Sequence, residues 1–187
     1  MGSIIGTGSL RRKSMLQKMR PDIEVIPVRG NLDTRIRKLR QGEGEKPLDG
    51  IMVAMAGVNR MGLASQITEI FSVRHIIPAV CQGILAIECK VDRRDLIADL
   101  MRLNHQQTHI RATAERAFLK RLGGSCHIPV AAHAIIEGTK VTLIGMVADK
   151  EGLNRVEAES EGDASHAASV GTELAEKLLA MGGDKYL

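Results

Sequence analysis

Apolar and polar positions switch between helical and strand periods over the first sixty residues, which predicts a layer of alternating helices and strands. A helix over Leu10–Met19 ends at Pro21, because the residue before a proline avoids the helical region. The elements predicted after it are a strand over residues 23–28, a helix from a cap at Asn31 through Leu39 that ends at Gly42, and a strand over residues 50–55 followed by a turn around Gly57 and Gly62. This alternation is typical of a parallel α/β sheet.

The second half of the chain predicts a different class of fold. A strand over residues 84–89 and helices over 93–103 and 108–122 come first. Apolar runs over 130–136 and 141–147 then predict a hairpin around Gly138, a third strand covers 153–159, and a helix with one apolar face covers 163–181. Strands followed by a helix indicate a small antiparallel α+β domain, and we place its boundary near Asn104.

Composition excludes several classes of protein. The chain has 187 residues, of which 44% are hydrophobic and 2% aromatic, so a core is available but stacking platforms for single-stranded nucleic acid are scarce. Three cysteines without a Cys-x-x-Cys pair, no membrane-length apolar run and no signal-peptide pattern predict a cytoplasmic protein with free thiols. The six histidines form no close ligand set apart from His105 and His109 at helical spacing, which we expect to be ordinary helix surface, so we expect no metal site. The scarce aromatics and the missing apolar run predict no nucleic-acid or membrane partner.

Positive charge is concentrated near the start of the chain. Residues 1–40 hold ten Lys/Arg and three Asp/Glu, a net charge of +7 in a chain of +4. The loop Gly6-Thr7-Gly8-Ser9 precedes a predicted helix, where backbone N–H groups and the helix dipole favour an anion. Parallel α/β sheets gather such loops on one edge, which predicts an anion site. The arginines placed there are Arg11, Arg12, Arg29, Arg35 and Arg60.

Other interpretations of these residues stay open. Exposed charge on a helix contributes little, and this is what we expect of Lys13, Lys18, Arg37, Lys38 and Arg40. The spacing of Arg11, Arg12, Arg29 and Arg35 alone fits either a solvated face or a site. A dinucleotide site is disfavoured, because the third glycine of that motif is missing.

Cys126 lies in a glycine-containing loop, Gly123-Gly124-Ser125-Cys126-His127-Ile128-Pro129, between the long helix and the hairpin. Glycines let the thiol project from the loop, and nearby Lys120, Arg121 and His127 would favour its thiolate form. The residue fits a nucleophile or attachment point, and it also fits a structural cysteine. Cys89 is predicted in the core of a strand, and Cys81 has no assigned role.

Six motifs follow one another along the chain: Ile5-Gly6-Thr7-Gly8-Ser9-Leu10-Arg11-Arg12, Val28-Arg29-Gly30-Asn31-Leu32-Asp33-Thr34-Arg35, Ala54-Met55-Ala56-Gly57-Val58-Asn59-Arg60-Met61-Gly62, Pro78-Ala79-Val80-Cys81-Gln82-Gly83, Ala114-Glu115-Arg116-Ala117-Phe118-Leu119 and Gly123-Gly124-Ser125-Cys126. In this order they resemble the porphobilinogen deaminase family, also called hydroxymethylbilane synthases, over nearly the whole chain. Gly8 stands where the family commonly has a second serine, and Cys81 stands where it commonly has glycine.

The resemblance implies a cytosolic transferase of tetrapyrrole and haem synthesis. The family joins four porphobilinogen molecules head to tail into linear hydroxymethylbilane and releases ammonia at each step. The chain grows from a dipyrromethane cofactor held by a thioether, which the resemblance assigns to Cys126. By the same mapping the acetate and propionate carboxylates of cofactor and substrate would be bound by Arg11, Arg12, Arg29, Arg35 and Arg60, with hydrogen bonds from Thr7 and Ser9 and with Gln82 lining the cleft.

The family fold has two α/β lobes resembling periplasmic binding proteins and a third, small α+β domain. We therefore expect residues 1–77 to be the second lobe, 78–104 a remnant that returns to the first lobe, and 105–187 the cysteine-bearing domain. The chain is thus expected to be a carboxy-terminal portion without most of the first lobe, whose aspartate protonates the leaving amine. We predict that this chain alone is inactive and that residues 84–103 rearrange or pair with another copy, although the family is monomeric. The alternative is a non-enzymatic anion-binding module.

Overall fold

A small parallel sheet forms the first part of the molecule. The computed structural model describes residues 2–42, 44, 46–123, 128–149 and 151–187. Three short strands, β1 (Ile4–Gly6), β2 (Glu24–Ile26) and β3 (Gly50–Ile51), pair in parallel in the order β2-β1-β3. Helix α1 (Leu10–Met19) joins β1 to β2, and α2 (Leu32–Gln41) joins β2 to β3. The predicted parallel α/β layer is confirmed.

Capping residues set the ends of these two helices. Ser9 Oγ accepts the N–H of Arg12 at 3.3 Å at the start of α1, and Asn31 Oδ1 accepts the N–H of Thr34 at 2.9 Å at the start of α2. Gly42, at φ +86°, ends α2 and donates its N–H to Lys38 O at 2.7 Å. The predicted first helix, the Asn31 cap and the Gly42 terminus are therefore all present.

The region after β3 differs from the prediction. The strand expected over residues 50–55 stops at Ile51, and Met55 instead begins helix α3 (Met55–Arg60), which includes Gly57. Met55 and Ala56 are strong helix formers, and this preference favours a helix once the backbone has left the sheet. Ala54 O accepts the N–H of Gly57 at 3.0 Å, so the turn expected at Gly57 is the first turn of a helix, whereas the turn expected at Gly62 is present.

The strand predicted over residues 84–89 is wrong. These residues follow a turn in which Ile84 N donates to Cys81 O at 3.1 Å, and no strand is assigned to them. Leu85 is 78% and Ile87 62% exposed, and Cys89 is half-buried rather than in a core. A strand needs hydrogen-bond partners along its backbone, and the described part of the chain supplies none here. The helix predicted next to it is present as α4 (Arg94–Met101).

The C-terminal part is an antiparallel sheet covered by two helices, as predicted. Its elements are α5 (Gln106–Arg121), β4 (Val130–Glu137), β5 (Lys140–Ala148), β6 (Arg155–Asp163) and α6 (Ala167–Ala180), with sheet order β4-β5-β6. Strand β6 runs to Asp163, past the predicted end at 159, and a 3-10 turn over Ala164–His166 precedes α6. The alternation of Glu157, Glu159 and Glu161 has the strand period, but its polarity concealed the strand's length.

The two faces of this sheet bury different partners. Side chains of one face join α5 and α6 in a core that includes Phe118, Leu143 and Leu174. The other face contributes Ile144 and Met146 to a second cluster that contains Met15 of α1. The sheet therefore lies between its own helices and the α/β layer. No helix in the described ranges is long and apolar enough to cross a membrane.

Close packing joins α1 to the C-terminal sheet. Gly152, at φ +77° in the loop between β5 and β6, lies against Ser14, and a Cβ there would come within 2.8 Å of Ser14 Cα. Ion pairs at the rim link Lys18 Nζ to Glu157 at 3.2 Å and Arg74 Nη1 to Glu159 at 2.9 Å. This contact fixes the direction of α1, which carries the two central arginines of the predicted site.

Candidate anion-binding site

The loops that follow the three parallel strands meet at one edge of the sheet, as predicted. Thr7 N donates to Ile26 O at 3.0 Å, and Met52 N donates to Gly6 O at 3.0 Å, so the ends of β1, β2 and β3 are held together. A Cβ on Gly6 would lie 2.6 Å from Val28 Cγ2, which explains why a residue without a side chain ends the central strand. In the order β2-β1-β3 the chain leaves β1 toward β2 and then crosses to the other side of β1 to form β3, and α/β sheets bind ligands where the strand order reverses in this way.

Arg11 is buried at this edge and is held by neutral acceptors. Its residue is 7% exposed. Nη1 donates to Ile77 O, and Nη2 donates to Gln82 Oε1 at 3.3 Å. Burial, together with the neighbouring charge of Arg12, lowers the pKa of Arg11 to about 10. The guanidinium is thus oriented by the segment after the α/β layer but is not neutralised by it.

Arg12 is buried beside Arg11 and points to a different anchor. It is 9% exposed, and Nη1 donates to Met52 O at 3.0 Å, just after β3. Burial lowers its pKa, and the charge of Arg35 lowers it further. Neither Arg11 nor Arg12 forms an ion pair with a carboxylate in the part of the chain that the structure describes. Two adjacent buried cations with spare N–H donors form a site suited to carboxylates or phosphates.

The other predicted residues fall into two groups. Thr7 is buried and its Oγ1 accepts the N–H of Ser9 at 3.3 Å, while Ser9 caps α1, so both hydroxyls stabilise the loop. Arg35 is half-buried and its Nε donates to Gly30 O at 2.8 Å. Arg29 and Arg60 are exposed, and their side chains make no hydrogen bond or ion pair within the described ranges. The structure thus brings together Thr7, Ser9, Arg11, Arg12 and Gln82, with Arg35 close to Arg12.

Cys126 lies outside the described residues, as do residues 124, 125 and 127 of its loop. The helix before it, α5, ends at Arg121. Cys81 and Cys89 are free thiols. Among the described residues, no group of three or more His, Cys, Asp and Glu side chains is arranged to hold a metal ion.

Sequence reasoning missed one buried carboxylate, Glu115. It is 1% exposed and accepts the N–H of Cys81 on Oε2 at 2.5 Å and that of Ala134 on Oε1 at 2.9 Å. Burial raises the pKa of this carboxyl, and the two amides oppose the rise. A signal was present in the sequence, because Glu115 lies beside Ala114 and three residues before Phe118, on the apolar face of α5.

Comparisons with known proteins identify the family. The model described as "Porphobilinogen deaminase, dipyromethane cofactor binding domain" matches residues 1–98, and "Porphobilinogen deaminase, C-terminal domain" matches residues 109–180.

Similar curated proteins carry the same name. Porphobilinogen deaminase of Trichlorobacter lovleyi is 44% identical over 186 residues, which cover 100% of this chain and 58% of the relative. That of Syntrophus aciditrophicus is 47% identical over 182 residues, or 97% of this chain and 58% of the relative. The chain thus spans 58% of the length of these two relatives. On these matches the chain belongs to the porphobilinogen deaminase family.

Proposed function

We propose that this chain supplies the carboxylate-binding arginines and the cofactor-attachment loop of an enzyme that joins four porphobilinogen molecules into hydroxymethylbilane with release of ammonia. The observation that carries the proposal is the pair Arg11 and Arg12, both buried and both without a carboxylate partner in the described residues. A buried cation without a counter-ion is costly, and a ligand that brings carboxylates removes much of that cost. Porphobilinogen brings an acetate and a propionate.

The chain's own groups would divide the work of binding. Arg11 and Arg12 present planar donor forks that grip carboxylates through paired hydrogen bonds. Arg35 adds charge beside Arg12, and the exposed Arg29 and Arg60 are available to further carboxylates of the growing linear pyrrole chain. The start of α1 adds backbone N–H groups and the positive end of a helix dipole. Thr7, Ser9 and Gln82 would then serve mainly to hold these donors in place.

The residues present fit a dipyrromethane cofactor, since its carboxylates match the unneutralised guanidiniums of the site. The family model that covers residues 1–98 is described by this cofactor. When attached through a thioether to Cys126, the cofactor supplies the primer to which pyrroles are added. The role of this chain would be to hold the carboxylates and fix the orientation of the bound pyrroles.

We also propose the domain division given by the resemblance. Residues 1–77 would be the second, periplasmic-binding-protein-like lobe, 78–104 a stretch that returns to the first lobe, and 105–187 the third domain. The parallel order β2-β1-β3 and the separate apolar core around Phe118 support the two outer units. The free thiols Cys81 and Cys89 fit a reducing cytoplasm.

Mass spectrometry of the purified chain tests the attachment directly. An intact mass raised by two linked pyrroles, mapped to the peptide that contains Cys126, is the expected result for a loaded chain. The Cys126→Ser variant is the matched control and should carry no added mass. Added mass on another residue, or on both variants, would contradict the assignment of Cys126.

Catalysis and simple binding can be separated in the same preparations. A non-enzymatic anion-binding module would bind porphobilinogen equally well with Cys126→Ser and would carry no pyrrole. The prediction that the 187-residue chain alone is inactive is checked by its rate of hydroxymethylbilane formation. A turnover comparable to that of a family enzyme would overturn this prediction and leave the family assignment intact.

The exposed apolar side chains around residue 87 support the proposal that isolated chains associate. Leu85, Ile87 and Val91 are all largely exposed, which is unusual for large apolar side chains so close together in one segment. Sedimentation velocity should show dimers or larger species that dissociate when Leu85 and Ile87 are both changed to Ser. A monomer at high concentration before any substitution would contradict self-association.

A further inference from the structure

Glu115 lies where three parts of the chain meet, outside the arginine site. It belongs to α5 and is almost fully buried. Its Oε1 accepts the N–H of Ala134 in β4 at 2.9 Å, and its Oε2 accepts the N–H of Cys81 at 2.5 Å. One carboxylate therefore connects the helix, the C-terminal sheet and the segment 77–82.

The backbone at Cys81 depends on such an anchor. Cys81 has φ +58° and is the one non-glycine residue of the described chain in the left-handed region. A side chain in this conformation carries strain, which persists where the surroundings fix it. The segment also turns here, since Gln82 N donates to Ala79 O at 2.9 Å and Ile84 N donates to Cys81 O at 3.1 Å. The bond from Cys81 N to Glu115 thus fixes the turn at its most strained residue.

The same segment holds Arg11. Gln82 is the next residue after Cys81, and its Oε1 accepts from Arg11 Nη2 at 3.3 Å. Ile77 O accepts from Arg11 Nη1. Both acceptors of the Arg11 guanidinium therefore lie in residues 77–82, whereas the Arg12 guanidinium donates to Met52 O, outside this segment.

Several groups around Glu115 oppose the effect of burial on its charged form. Arg111 Nη2 lies 3.9 Å from Glu115 Oε1 and 3.2 Å from His133 Nδ1, and His133 Nδ1 lies 3.7 Å from Glu115 Oε1. The Arg111 guanidinium and two backbone amides all stabilise a carboxylate. A Gln side chain would turn an N–H₂ group toward one of these amide donors, so one of the two bonds would be lost.

We propose that Glu115 is a positioning residue of the anion site, which fixes segment 77–82 and through it the direction of Arg11. Because α5 is the helix that precedes Cys126 in the chain, the same carboxylate ties the arginine site to the element that leads to the attachment residue. The identity of the anion as porphobilinogen rests on the proposed function. The link from Glu115 to Arg11 does not.

Chemical modification tests this link without any ligand. In Glu115→Gln, the rate at which phenylglyoxal modifies Arg11 should rise about tenfold, because the segment that covers it opens more often. The modification of Arg12 is measured in the same digest by peptide mass mapping, and its rate should equal that in the protein without the substitution. The control Leu178→Ala, which weakens the core of α6 but leaves Glu115 and its two amide bonds in place, should not change the ratio of Arg11 to Arg12.

Two results would overturn the proposal. An equal rise at both arginines would mean that Glu115 acts only on stability, and a selective rise in the control would mean that any loosening exposes Arg11. Glu115→Asp keeps the charge but cannot reach both amides, and it should give a smaller selective rise. If the Glu115→Gln protein does not fold, Glu115→Asp becomes the deciding variant. An unchanged ratio of Arg11 to Arg12 modification in Glu115→Asp then counts against the proposal.

Binding of porphobilinogen, followed by calorimetry, separates this inference from the proposed function. Arg11→Gln and Glu115→Gln should each lower the affinity about tenfold, and the double variant about tenfold instead of a hundredfold, because both act along one path. An affinity lowered by Arg11→Gln but not by Glu115→Gln overturns the inference alone. An affinity that Arg11→Gln leaves unchanged counts against the proposed function, and the modification experiment still decides the role of Glu115.

Discussion

The two halves of the chain bury different kinds of side chain. The C-terminal half has strands of eight and nine residues and a large apolar core, and its one buried charged side chain among the described residues, Glu115, is hydrogen-bonded to two backbone amides. The α/β half has strands of two or three residues, and its buried positions include Arg11, Arg12, Thr7 and Ser14 beside a small apolar cluster.

The contrast separates stability from binding. An apolar core whose buried carboxylate is hydrogen-bonded needs no further partner, whereas a region that buries unneutralised cations gains stability when an anion binds to it. The C-terminal half thus serves as the rigid support. The α/β half keeps a binding site in which burial of the arginines costs free energy, and a bound anion offsets that cost.

The largest expected effect is in the apolar half. Leu174 is fully buried against Gly145, where an added Cβ would lie 3.0 Å from Leu174 Cδ2. Leu174→Ala should lower the free energy of unfolding by about 2–5 kcal/mol in urea titrations followed by circular dichroism. The matched variant Leu16→Ala should cost less, because most of the apolar neighbours of Leu16 are only partly buried. Equal losses of unfolding free energy in the two variants would contradict the difference proposed between the two halves.

A pH-dependent loss of stability is expected from His133 of β4, which lies beside Arg111 of α5. Burial, followed by the charge of Arg111, lowers the pKa of His133 from 6.5 to about 4. The unfolded chain therefore binds this proton more readily, and stability falls as pH falls from about 6.5 to about 4, by on the order of 3 kcal/mol in all. Burial raises the pKa of Glu115, which acts in the opposite direction, so the comparison must be made between variants.

His133→Asn isolates the contribution of this histidine. The fall in unfolding free energy toward pH 4 should be smaller in this variant, by the amount that His133 contributes. The control His109→Asn changes an exposed histidine and should keep the pH profile of the unsubstituted chain. Identical profiles for all three proteins would mean that His133 is not buried as the structure has it.

Arg12→Met separates binding from stability within the α/β half. The affinity for porphobilinogen should fall by about 10- to 150-fold, the equivalent of a charge-assisted contact of about 1.5–3 kcal/mol. The free energy of unfolding without ligand should stay within about 1 kcal/mol or rise, since a buried unpaired cation is replaced by an apolar chain. Calorimetry and urea unfolding measure the two, with the exposed Arg37→Met as control. A loss of stability with unchanged affinity would mean that Arg12 serves stability and not binding.

The C-terminal half was largely predictable because the pattern of apolar and polar positions in its sequence agrees with the packing of its elements. Alternate residues of β5 face opposite sides, and both sides are covered, so the apolar run of residues 141–147 marked the strand correctly. Helix α1 and the Asn31 cap were predictable for the same reason, since local chemistry decides them. The error at residues 84–89 has the opposite cause, because an apolar run becomes a strand only where partners exist.

The arginine site was predictable in part. Small-residue loops ahead of helices indicated Arg11 and Arg12, and the parallel sheet does place those loops at one edge. Their burial and their acceptors depend on Met52, Ile77 and Gln82, which are distant in sequence, so no local pattern could supply them. Glu115 was missed because its partners are backbone amides, so no complementary side chain in the sequence marks them, and its position on the apolar face of α5 was the signal available.

The smallest effect is expected at the charged rim between the halves. Arg74–Glu159 joins exposed side chains at 2.9 Å, and such pairs contribute about 0–1 kcal/mol. A double-mutant cycle of Arg74→Gln and Glu159→Gln, measured by urea unfolding at low and high NaCl, should give a coupling in that range that salt removes. Met15 makes apolar contacts across the same junction, and Glu115 accepts a hydrogen bond from Cys81 in its buried part. The two halves should therefore stay together when the ion pairs of the rim are removed. A larger coupling that survives high salt would mean that the junction depends on its ion pairs and that the apolar support does not extend to the arginine site.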